Sequence, residues 1–536
     1  MTSLPRCAPG AGRAICACAV AVLAISLSAA TSSLAAGATA IATATATAAA
    51  WPYPNGTVTN TRDAAGSAIS SQNVATLRET WSFKLSGKAA STVGGYGTLA
   101  ANPIVANGVV YVQDLHSNVY ALNFSTGKLE WEYKVGQKVE SGPGPNGVAV
   151  VGTTVYGLAP TSAFALDAKT GRRIWLNDKL LTKGEGTFGI QPQVATGRVY
   201  LASQYGSGPG GGVLMALDAS TGALLWRFST LAGADPGVEA LGVGAGGAWE
   251  TPLVGADGSV TYGIGNPYQR VGSALHEPAR LLYTDSVVNL TAATGKLRWY
   301  YQGVPDDFKD YDMQASPIAA TANGVPVVIG AGKMGYVYEM NATTGKLLWK
   351  TPVGKHNGHD TDSVDALEHV KTPKLPYTFE PGSLGGVLTN LALAGNTLYV
   401  VTNDLAFKVH SSTTVDGIPA TTHLAGEVEA LNLTTGKVEW DTKVTSLPLG
   451  AATVSDNLVF TTLFMTTHPS GSVPLDGELI ALDRTTGAIV YRHKLPAGSN
   501  APIAVAGNTV IVPVGFTKSA SKKRAGTAQV VAYRLP

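Results

Sequence analysis

The chain has 536 residues, with 38 Lys and Arg against 36 Asp and Glu, which gives a formal net charge of +2. Only 14% of the residues are charged and the basic ones are scattered, which argues against a nucleic-acid partner. The length would allow several ordinary domains, but it is equally compatible with one large unit built from repeats.

The N-terminal stretch has the pattern of a secretory signal. Two arginines precede an apolar run at residues 19–25, and Ala35 ends a small-residue cleavage motif. We therefore predict a signal peptide at residues 1–35 and a disordered Ala/Thr-rich linker at residues 36–50. The apolar run is too short to predict a membrane span. These features predict a secreted or extracytoplasmic protein, with retention through an N-terminal anchor as the alternative.

All three cysteines, Cys7, Cys16 and Cys18, lie inside the predicted signal peptide. After cleavage the chain would contain no cysteine. It would then have no structural disulfide, no Cys-ligated metal and no c-type haem attached to the same polypeptide.

One short phrase recurs seven times along the rest of the chain. In its clearest copy an apolar run leads into Thr170-Gly171, and Trp175 follows four residues after the glycine. Six copies end in Trp and the seventh ends in Tyr491. Alternating apolar and polar residues before a glycine turn predict a β-hairpin. The large aromatic on the second strand can wedge against a neighbouring repeat. The turn glycines are Gly127, Gly171, Gly222, Gly295, Gly345, Gly436 and Gly487.

The repeat spacing predicts the architecture. Most successive turn glycines lie about 45 to 50 residues apart, which suits a four-stranded propeller blade, and the two longer intervals would carry insertions. An eighth unit is split, because residues 530–535 resemble the strand before the turn and residues 80–85 the strand after it. We predict an all-β, eight-bladed propeller over residues 51–536. Its ring would be closed by the N- and C-terminal strands, which removes exposed sheet edges.

The opening stretch at residues 51–62 and the Trp-bearing repeats resemble the quinoprotein dehydrogenases, eight-bladed propellers that use pyrroloquinoline quinone (PQQ). The resemblance covers about residues 51–536. Non-enzymatic scaffold propellers carry similar repeats, so the resemblance implies the fold more strongly than the activity. A function must be argued from individual site residues.

One tryptophan is not explained by the repeats. Of nine tryptophans, seven occupy the repeat position, Trp51 opens the domain, and Trp249 follows Gly246-Gly247. In the resembling family a Trp after Gly-Gly is the floor on which the flat quinone stacks. Asn266 lies in a Gly-Asn-Pro stretch that is similar to the one holding the family's metal-ligating Asn. The alternative is a core Trp and a strand-end turn, for which Asn-Pro is a common signal.

An acidic segment follows the fourth repeat, with four carboxylates in seven residues. It resembles the family's Asp-x-Trp-Asp-Tyr-Asp motif, with Lys309 in place of the Trp. The resemblance implies that Asp310 is the general base and a metal ligand, and that Asp312 is the extra ligand of lanthanide-dependent members. In an extended segment residues i and i+2 face one side, so both carboxylates could share a Ca²⁺ or lanthanide ion. The alternative is a solvated acidic loop between blades.

The resemblance also implies that Lys333 contacts the quinone oxygens, where a cation stabilises the charge that develops on reduction. The alternative is an exposed turn lysine. Three positions depart from the family. Ser207 aligns with a metal-ligating Glu, Glu140-Ser141 with an adjacent Cys pair, and Asn146 with an Arg that binds the quinone carboxylates. Losing that cation would weaken quinone binding.

Histidines His356, His359 and His369 lie in the long insertion between the fifth and sixth repeats. Asn-Gly between the first two predicts a turn rather than a helix. The pattern therefore favours a polar lid over the propeller mouth, with a zinc site as the alternative.

The resemblance, together with the residues at the matching positions, implies a PQQ- and metal-dependent dehydrogenase that oxidises an alcohol or sugar hydroxyl. Asp310 would remove the hydroxyl proton, and Trp249 would stack beneath the quinone. The metal would be Ca²⁺ or a lanthanide, held by Asn266, Asp310 and Asp312. Electrons would leave to a separate acceptor, because the mature chain has no haem-binding cysteines. The alternative is a propeller without redox chemistry that binds protein, glycan or wall polymer as an extracytoplasmic scaffold.

Overall fold

The repeat phrase forms a β-hairpin in all seven copies. In the clearest copy, the turn passes through Gly171 at φ 69°, and Asp167 accepts hydrogen bonds from the amide and hydroxyl of Thr170. These contacts satisfy the polar groups of the turn.

The computed structural model describes residues 50–85, 99–135, 146–204, 211–235, 246–267, 281–305, 307, 309–359, 376–411, 414–416, 424–465, 476–515 and 528–536.

Eight antiparallel sheets, which we number as blades 1 to 8 in chain order, form the ring. The first strands of most neighbouring blades contact one another, so these strands line the axis. The strands of blades 1 to 4, from the axis outward, are Ile104–Ala106, Val109–Gln113, Val119–Asn123 and Leu129–Tyr133; Ala149–Val151, Thr154–Ala159, Ser162–Asp167 and Arg173–Asn177; Gln193–Ala195, Arg198–Gln204, Val213–Asp218 and Leu224–Ser229; and Leu253–Val254, Ser259–Gly263, Ser286–Thr291 and Leu297–Gln302. Those of blades 5 to 8 are Ile318–Ala322, Val325–Gly332, Tyr336–Asn341 and Leu347–Pro352; Ala392–Ala394, Thr397–Asn403, Gly426–Asn432 and Val438–Val444; Thr453–Ser455, Leu458–Met465, Asp476–Asp483 and Ile489–Leu495; and Ala504–Ala506, Thr509–Val514, Gln529–Arg534 and Arg78–Lys84.

The two ends of the propeller domain share blade 8. Its outermost strand, Arg78–Lys84, pairs antiparallel with Gln529–Arg534, and Val531 lies opposite Ser82. The ring is therefore closed by N- and C-terminal strands, and the predicted all-β, eight-bladed propeller is confirmed.

The repeat tryptophans join neighbouring blades at seven of the eight junctions, and Tyr491 takes the repeat position on blade 7. On blade 6, the Trp440 indole N–H donates to the Arg484 carbonyl of blade 7 at 3.1 Å, and its ring covers Gly487. Each turn glycine has φ between 66° and 72° and would place a Cβ against the neighbouring indole, so glycine is required for both backbone and space. The predicted wedge is therefore confirmed. The tryptophans that make this contact are Trp81, Trp131, Trp175, Trp226, Trp299, Trp349 and Trp440.

Residues 51–64 lie against the inner strands around the axis. Trp51 exchanges two backbone hydrogen bonds with Val105 of blade 1, and the amide of Leu393 in blade 6 donates to the Thr61 carbonyl. Arg62 is fully buried within this segment. It therefore ties the start of the domain to blades 1, 7 and 8. Its guanidinium donates to Asn55 Oδ1, Asn102 Oδ1, Ala452 O, Thr453 Oγ1 and Ile503 O.

The remaining elements are short. A three-stranded sheet formed by Tyr377–Phe379, Phe407–Ser411 and Thr414–Asp416 lies in the longest interval between repeats, where the sequence predicts an insertion. Strands Thr187–Phe188 and Leu447–Pro448 extend blades 3 and 7. Within the described part of the chain the only helix is the 3₁₀ turn Val74–Thr76, and no described helix is long and apolar enough to cross a bilayer. The predicted signal peptide and all of the linker except Ala50 lie outside the described residues.

Candidate active site

The candidate site is built around the end of the second strand of blade 4, between blade 3, whose Ser203 carbonyl accepts the Ala248 amide, and Lys333, which follows the second strand of blade 5. Just beyond the second strand of blade 4, the Gly265 amide donates to the Gly247 carbonyl at 2.7 Å, and the Gly246 amide donates to the Asn266 carbonyl at 2.9 Å. These two bonds lay the Gly-Gly stretch alongside the Gly-Asn-Pro stretch. They therefore bring Trp249 and Asn266, which lie 17 residues apart in the sequence, to one place.

Gly265 lies between Trp249 and Asp312. A Cβ atom at Gly265 would stand 2.5 Å from Asp312 Oδ1 and 2.8 Å from Trp249 Nε1, so only glycine fits. Asp312 Oδ1 accepts a hydrogen bond from the backbone amide of Asn266 at 2.9 Å. Trp249, Asn266 and Asp312 are all buried. The Trp249 indole, the Asn266 backbone and the Asp312 carboxylate are therefore packed neighbours.

Lys333 holds the two predicted carboxylates together. Its Nζ lies 3.0 Å from Asp310 Oδ2 and 2.5 Å from Asp312 Oδ2. Its amide also donates to the Asp312 carbonyl at 3.0 Å. Lys333 is 7% exposed and Asp312 is 1% exposed, so neither the exposed turn lysine nor the solvated acidic loop describes this site.

The backbone of the acidic segment differs from the sequence expectation. Asp310 and Asp312 were expected to face one side because they lie in an extended segment, but no strand occupies this segment and Asp310 has φ 67°. Asp is one of the few non-glycine residues that adopt this left-handed conformation. The two side chains converge nonetheless, because Lys333 lies between them.

Asp310 is the carboxylate of this group that remains open to solvent. Its side chain is 43% exposed, compared with 1% for Asp312. Desolvation by the surrounding protein nevertheless raises its pKa to about 7, an increase that the nearby Lys333 ammonium partly offsets. A pKa near neutrality suits a group that exchanges protons with a substrate.

Two further carboxylates were not predicted. Asp285 is fully buried, its amide donates to the Gly265 carbonyl, and neither carboxylate oxygen has a hydrogen-bond partner among the described residues. Burial, followed by the negative charge of Asp307, raises the pKa of Asp285 well above its usual value. Asp307 accepts the amides of Lys309 and Tyr311. No sequence motif marks Asp285; only the strand pairing that sets Gly263 opposite Val287 places it here.

The donor atoms at this site suit a hard cation. The side-chain acceptors of Asn266, Asp310 and Asp312 are oxygens, as Ca²⁺ and lanthanide ions prefer, and the Lys333 ammonium lies between the two carboxylates. Asn266 Oδ1 is buried and accepts no hydrogen bond from the described residues, as expected of an oxygen that binds a cation. The described residues contain no group of three His, Cys, Asp or Glu side chains arranged for a metal. The protein would therefore supply two carboxylates and one amide oxygen and leave other positions to further ligands.

One glycine beside Trp249 is required by the indole: a Cβ at Gly265 would stand 2.8 Å from Trp249 Nε1, whereas a Cβ at Gly246 would meet Thr230 and Ile264 instead. At the position of the family's carboxylate-binding Arg, Asn146 is fully buried, with its Nδ2 3.5 Å from Ser117 Oγ. Ser207 and Glu140-Ser141 lie outside the described residues.

The insertion histidines that the structure describes do not share a ligand. His356 Nε2 lies 2.9 Å from the Gly335 carbonyl, whereas the His359 ring packs on Tyr377 at 4.6 Å between centroids. His369 lies outside the described residues. The zinc alternative gains no support from the described pair, and the polar lid stays a prediction.

Comparison with known proteins decides the family. The profile described as glucose/ethanol/alcohol dehydrogenase, β-propeller domain, matches residues 51–150 and 190–357, half of the chain. The chain belongs to this family. All five predicted site residues fall within the second matched segment of the dehydrogenase propeller profile. A second profile, described as outer membrane protein assembly factor BamB, matches residues 284–517.

The relatives of this dehydrogenase-family propeller have quinoprotein names. The quinohemoprotein alcohol dehydrogenase ADH IIB of Pseudomonas putida is 30% identical over 350 residues, covering 58% of this chain and 49% of the relative. The quinoprotein alcohol dehydrogenase PedH, also of Pseudomonas putida, is 24% identical over 488 residues, covering 80% and 78% of the two chains. The chain thus spans about half the length of the quinohemoprotein relatives it matches.

Solved structures show the same fold. A europium-containing methanol dehydrogenase superposes with a TM-score of 0.76 at 18% identity, covering 91% of this chain and 98% of that one. The quinohemoprotein alcohol dehydrogenase of Comamonas testosteroni superposes with a TM-score of 0.75 at 21% identity, covering 91% and 80%. At these identities the likeness establishes the propeller and not the reaction.

Proposed function

We propose that the protein is a PQQ-dependent dehydrogenase that oxidises an alcohol or sugar hydroxyl with the help of Ca²⁺ or a lanthanide. The observation that carries the proposal is the cluster in which Lys333 bridges Asp310 and Asp312 beside Trp249 and Asn266. The quinoprotein alcohol dehydrogenases among its relatives support the same chemistry. Electrons would leave to a separate acceptor.

Each residue has a distinct task in this proposal. When bound, PQQ would accept the hydride, and a cation held by Asn266, Asp310 and Asp312 would polarise it. Asp310 takes the hydroxyl proton, because it is the accessible carboxylate and its pKa is raised to about 7. Lys333 supplies positive charge where negative charge develops. Asp312 and Asn266 orient that lysine and the segment around it, and Trp249 provides the stacking surface.

The test compares isosteric carboxylate-to-amide changes. Asp310→Asn removes the base while keeping the side-chain shape. Loss of a general base should lower quinone-dependent dye reduction by about 10² to 10⁴-fold with the metal and PQQ present. The matched control is Asp257→Asn, because Asp257 pairs with Arg298 on blade 4 away from the site. Wild-type turnover by Asp310→Asn would remove Asp310 from the mechanism.

A second candidate is a propeller that acts as an extracytoplasmic scaffold. It is favoured by Asn146, which replaces a carboxylate-binding cation and is buried, and by the match of residues 284–517 to the BamB profile. In that case wild-type protein would bind no PQQ with or without metal, and Asp310→Asn would not change dye reduction.

We also propose export through the predicted signal peptide. N-terminal sequencing of the exported protein should then begin near residue 36.

A further inference from the structure

The residues before and after Asp310 in the sequence, Lys309 and Tyr311, are both held by contacts with residues outside the candidate site. We define the arm as the described residues 353–359 and 376–386, which lie between the last strand of blade 5 and the first strand of blade 6. Lys309 is fully buried, and its Nζ donates to the His359 carbonyl of the arm. Its own carbonyl accepts the Ser383 hydroxyl at 2.6 Å. Lys309 therefore contacts the arm through both its side chain and its backbone.

Tyr311 makes a matching contact from the other side of Asp310. Tyr311 is fully buried, and its hydroxyl donates to the Pro381 carbonyl at 2.6 Å. Its ring meets Phe379 edge-on, with 6.2 Å between centroids. The residues before and after Asp310 are thus held by one arm, through three hydrogen bonds and an aromatic contact.

The Lys309 ammonium packs against the rings of Tyr311 and Phe379. Its Nζ is 5.2 Å from the centroid of the Tyr311 ring and 5.5 Å from that of Phe379, both within cation–π range. A buried lysine is rare unless it is paired, since removing a charge from water is unfavourable. Here the aromatic faces and the His359 carbonyl replace the water. The quinoprotein motif has a Trp at this position, and a Trp could fill the space but could not donate to that carbonyl in the same way.

The anchored residues enclose a backbone conformation that needs support. Asp310 has φ 67°, and such a residue persists only where the surrounding structure determines it. The Asp307 carboxylate accepts hydrogen bonds from the backbone amides of Lys309 at 2.9 Å and Tyr311 at 2.8 Å, and these bonds hold the turn together. The arm holds the same turn through its contacts with Lys309 and Tyr311. In this conformation Asp310 Oδ2 reaches Lys333 Nζ at 3.0 Å.

We propose that Lys309 is a positioning residue, which together with Tyr311 clamps the Asp310 segment to the arm and fixes the direction of the Asp310 carboxylate. The arm is then part of the catalytic apparatus rather than only a cover over the mouth. The catalytic meaning of this clamp rests on the proposed function, whereas the clamp itself can be tested without turnover.

The test uses Lys309→Met, which keeps a chain of similar length but removes the charge and the donor. We expect kcat for dye reduction to fall at least tenfold while the Kd for PQQ and the KM for the alcohol change less than twofold. Lys309→Arg, which keeps a donor and a charge, should recover most of kcat. The matched control is Lys355→Met, because Lys355 lies on the same arm but pairs with Glu380 at the surface. Unchanged kcat, or equal loss of kcat and PQQ binding, would overturn the positioning role.

A second measurement separates the clamp from the proposed function. Hydrogen exchange of the amides at residues 309–312 should accelerate at least tenfold in Lys309→Met and stay unchanged in Lys355→Met. If wild-type protein neither binds PQQ nor turns over, the proposed function fails, and the exchange rates still decide whether Lys309 holds the segment. Equal exchange in Lys309→Met and wild type would refute the clamp.

Discussion

Arg62 gives the sharpest prediction about the fold, because one side chain joins the N-terminal segment to three blades. Arg62→Met keeps the apolar volume of the stem and removes every donor. It would leave the carbonyls of Ala452 and Ile503 and the side-chain oxygens of Asn55, Asn102 and Thr453 without their present partner. All of these groups are buried at the axis of the ring, where water cannot replace the lost donors.

The expected loss of stability can be bounded. A hydrogen bond to a charged group contributes about 1.5 to 3 kcal/mol, and each buried acceptor left unsatisfied costs about 1 to 3 kcal/mol. These terms are not additive within one network. All five acceptors are neutral, and leaving a few of them unsatisfied gives an expected loss of about 3 to 5 kcal/mol for Arg62→Met. Arg62→Lys should lose less, because it keeps the charge but not the planar set of five donors.

The assay is guanidinium unfolding followed by tryptophan fluorescence, with wild type and both Arg62 variants measured side by side. The control is Arg78→Met, since Arg78 is exposed and its side chain donates, among the described residues, to the nearby carbonyls of Ala75 and Leu77. That variant should stay within about 0.5 kcal/mol of wild type. An Arg62→Met free energy of unfolding within about 1 kcal/mol of wild type would refute the proposed role of Arg62 in joining the blades.

Two more predictions concern the blades. Gly345→Ala should destabilise the fold by more than about 2 kcal/mol, because φ is 71° and the new Cβ would lie 2.7 Å from the Trp299 ring. Gly324→Ala, with φ 77° and no atom within 4 Å of its Cβ, isolates the backbone part of that loss; equal losses would contradict the Trp contact. Burial raises the pKa of Glu429 to about 8. The folded protein therefore binds more protons than the unfolded chain between about pH 4.5 and 8, and stability falls as pH rises through this window. Chemical unfolding between pH 5 and 8.5 should show a shallower fall for Glu429→Gln, and an unchanged slope would count against this assignment.

Much of the fold could be predicted from local signals. Each Thr-Gly turn and its Trp are encoded within about a dozen residues, and their spacing sets the number of blades. The split eighth unit could be predicted because each half keeps its strand pattern, and Gln529–Arg534 indeed pairs with Arg78–Lys84. The docking of each tryptophan on the next glycine follows from the same repetition.

The site could be predicted in its members but not in its geometry. Trp249, Asn266, Asp310, Asp312 and Lys333 were chosen from motifs, and the structure places them near one another, while their roles stay predictions. Asp310 was expected in an extended segment and instead adopts a left-handed conformation, since contacts far along the chain override the local pattern.

Long-range pairing explains what the sequence did not reveal. Asp285 reaches the site only through the strand register of blade 4, and Arg62 reaches Ala452 across 390 residues of sequence. Glu250, next to Trp249, joins the axial network through Asn390 at 2.9 Å, and its burial raises its pKa to about 7. No short motif marks any of these contacts, because each depends on how the closed ring brings distant strands together.

The most direct test of the central claim is a titration of the mature protein with PQQ, in the presence and absence of Ca²⁺ or La³⁺. Quinone absorbance and tryptophan fluorescence would be followed together, with Trp249→Phe as the matched variant. The account predicts saturable binding that requires the metal, with fluorescence quenching that is largely lost in Trp249→Phe. Absence of binding by the wild type even with the metal present would contradict the account and leave a propeller that keeps its ring without its cofactor.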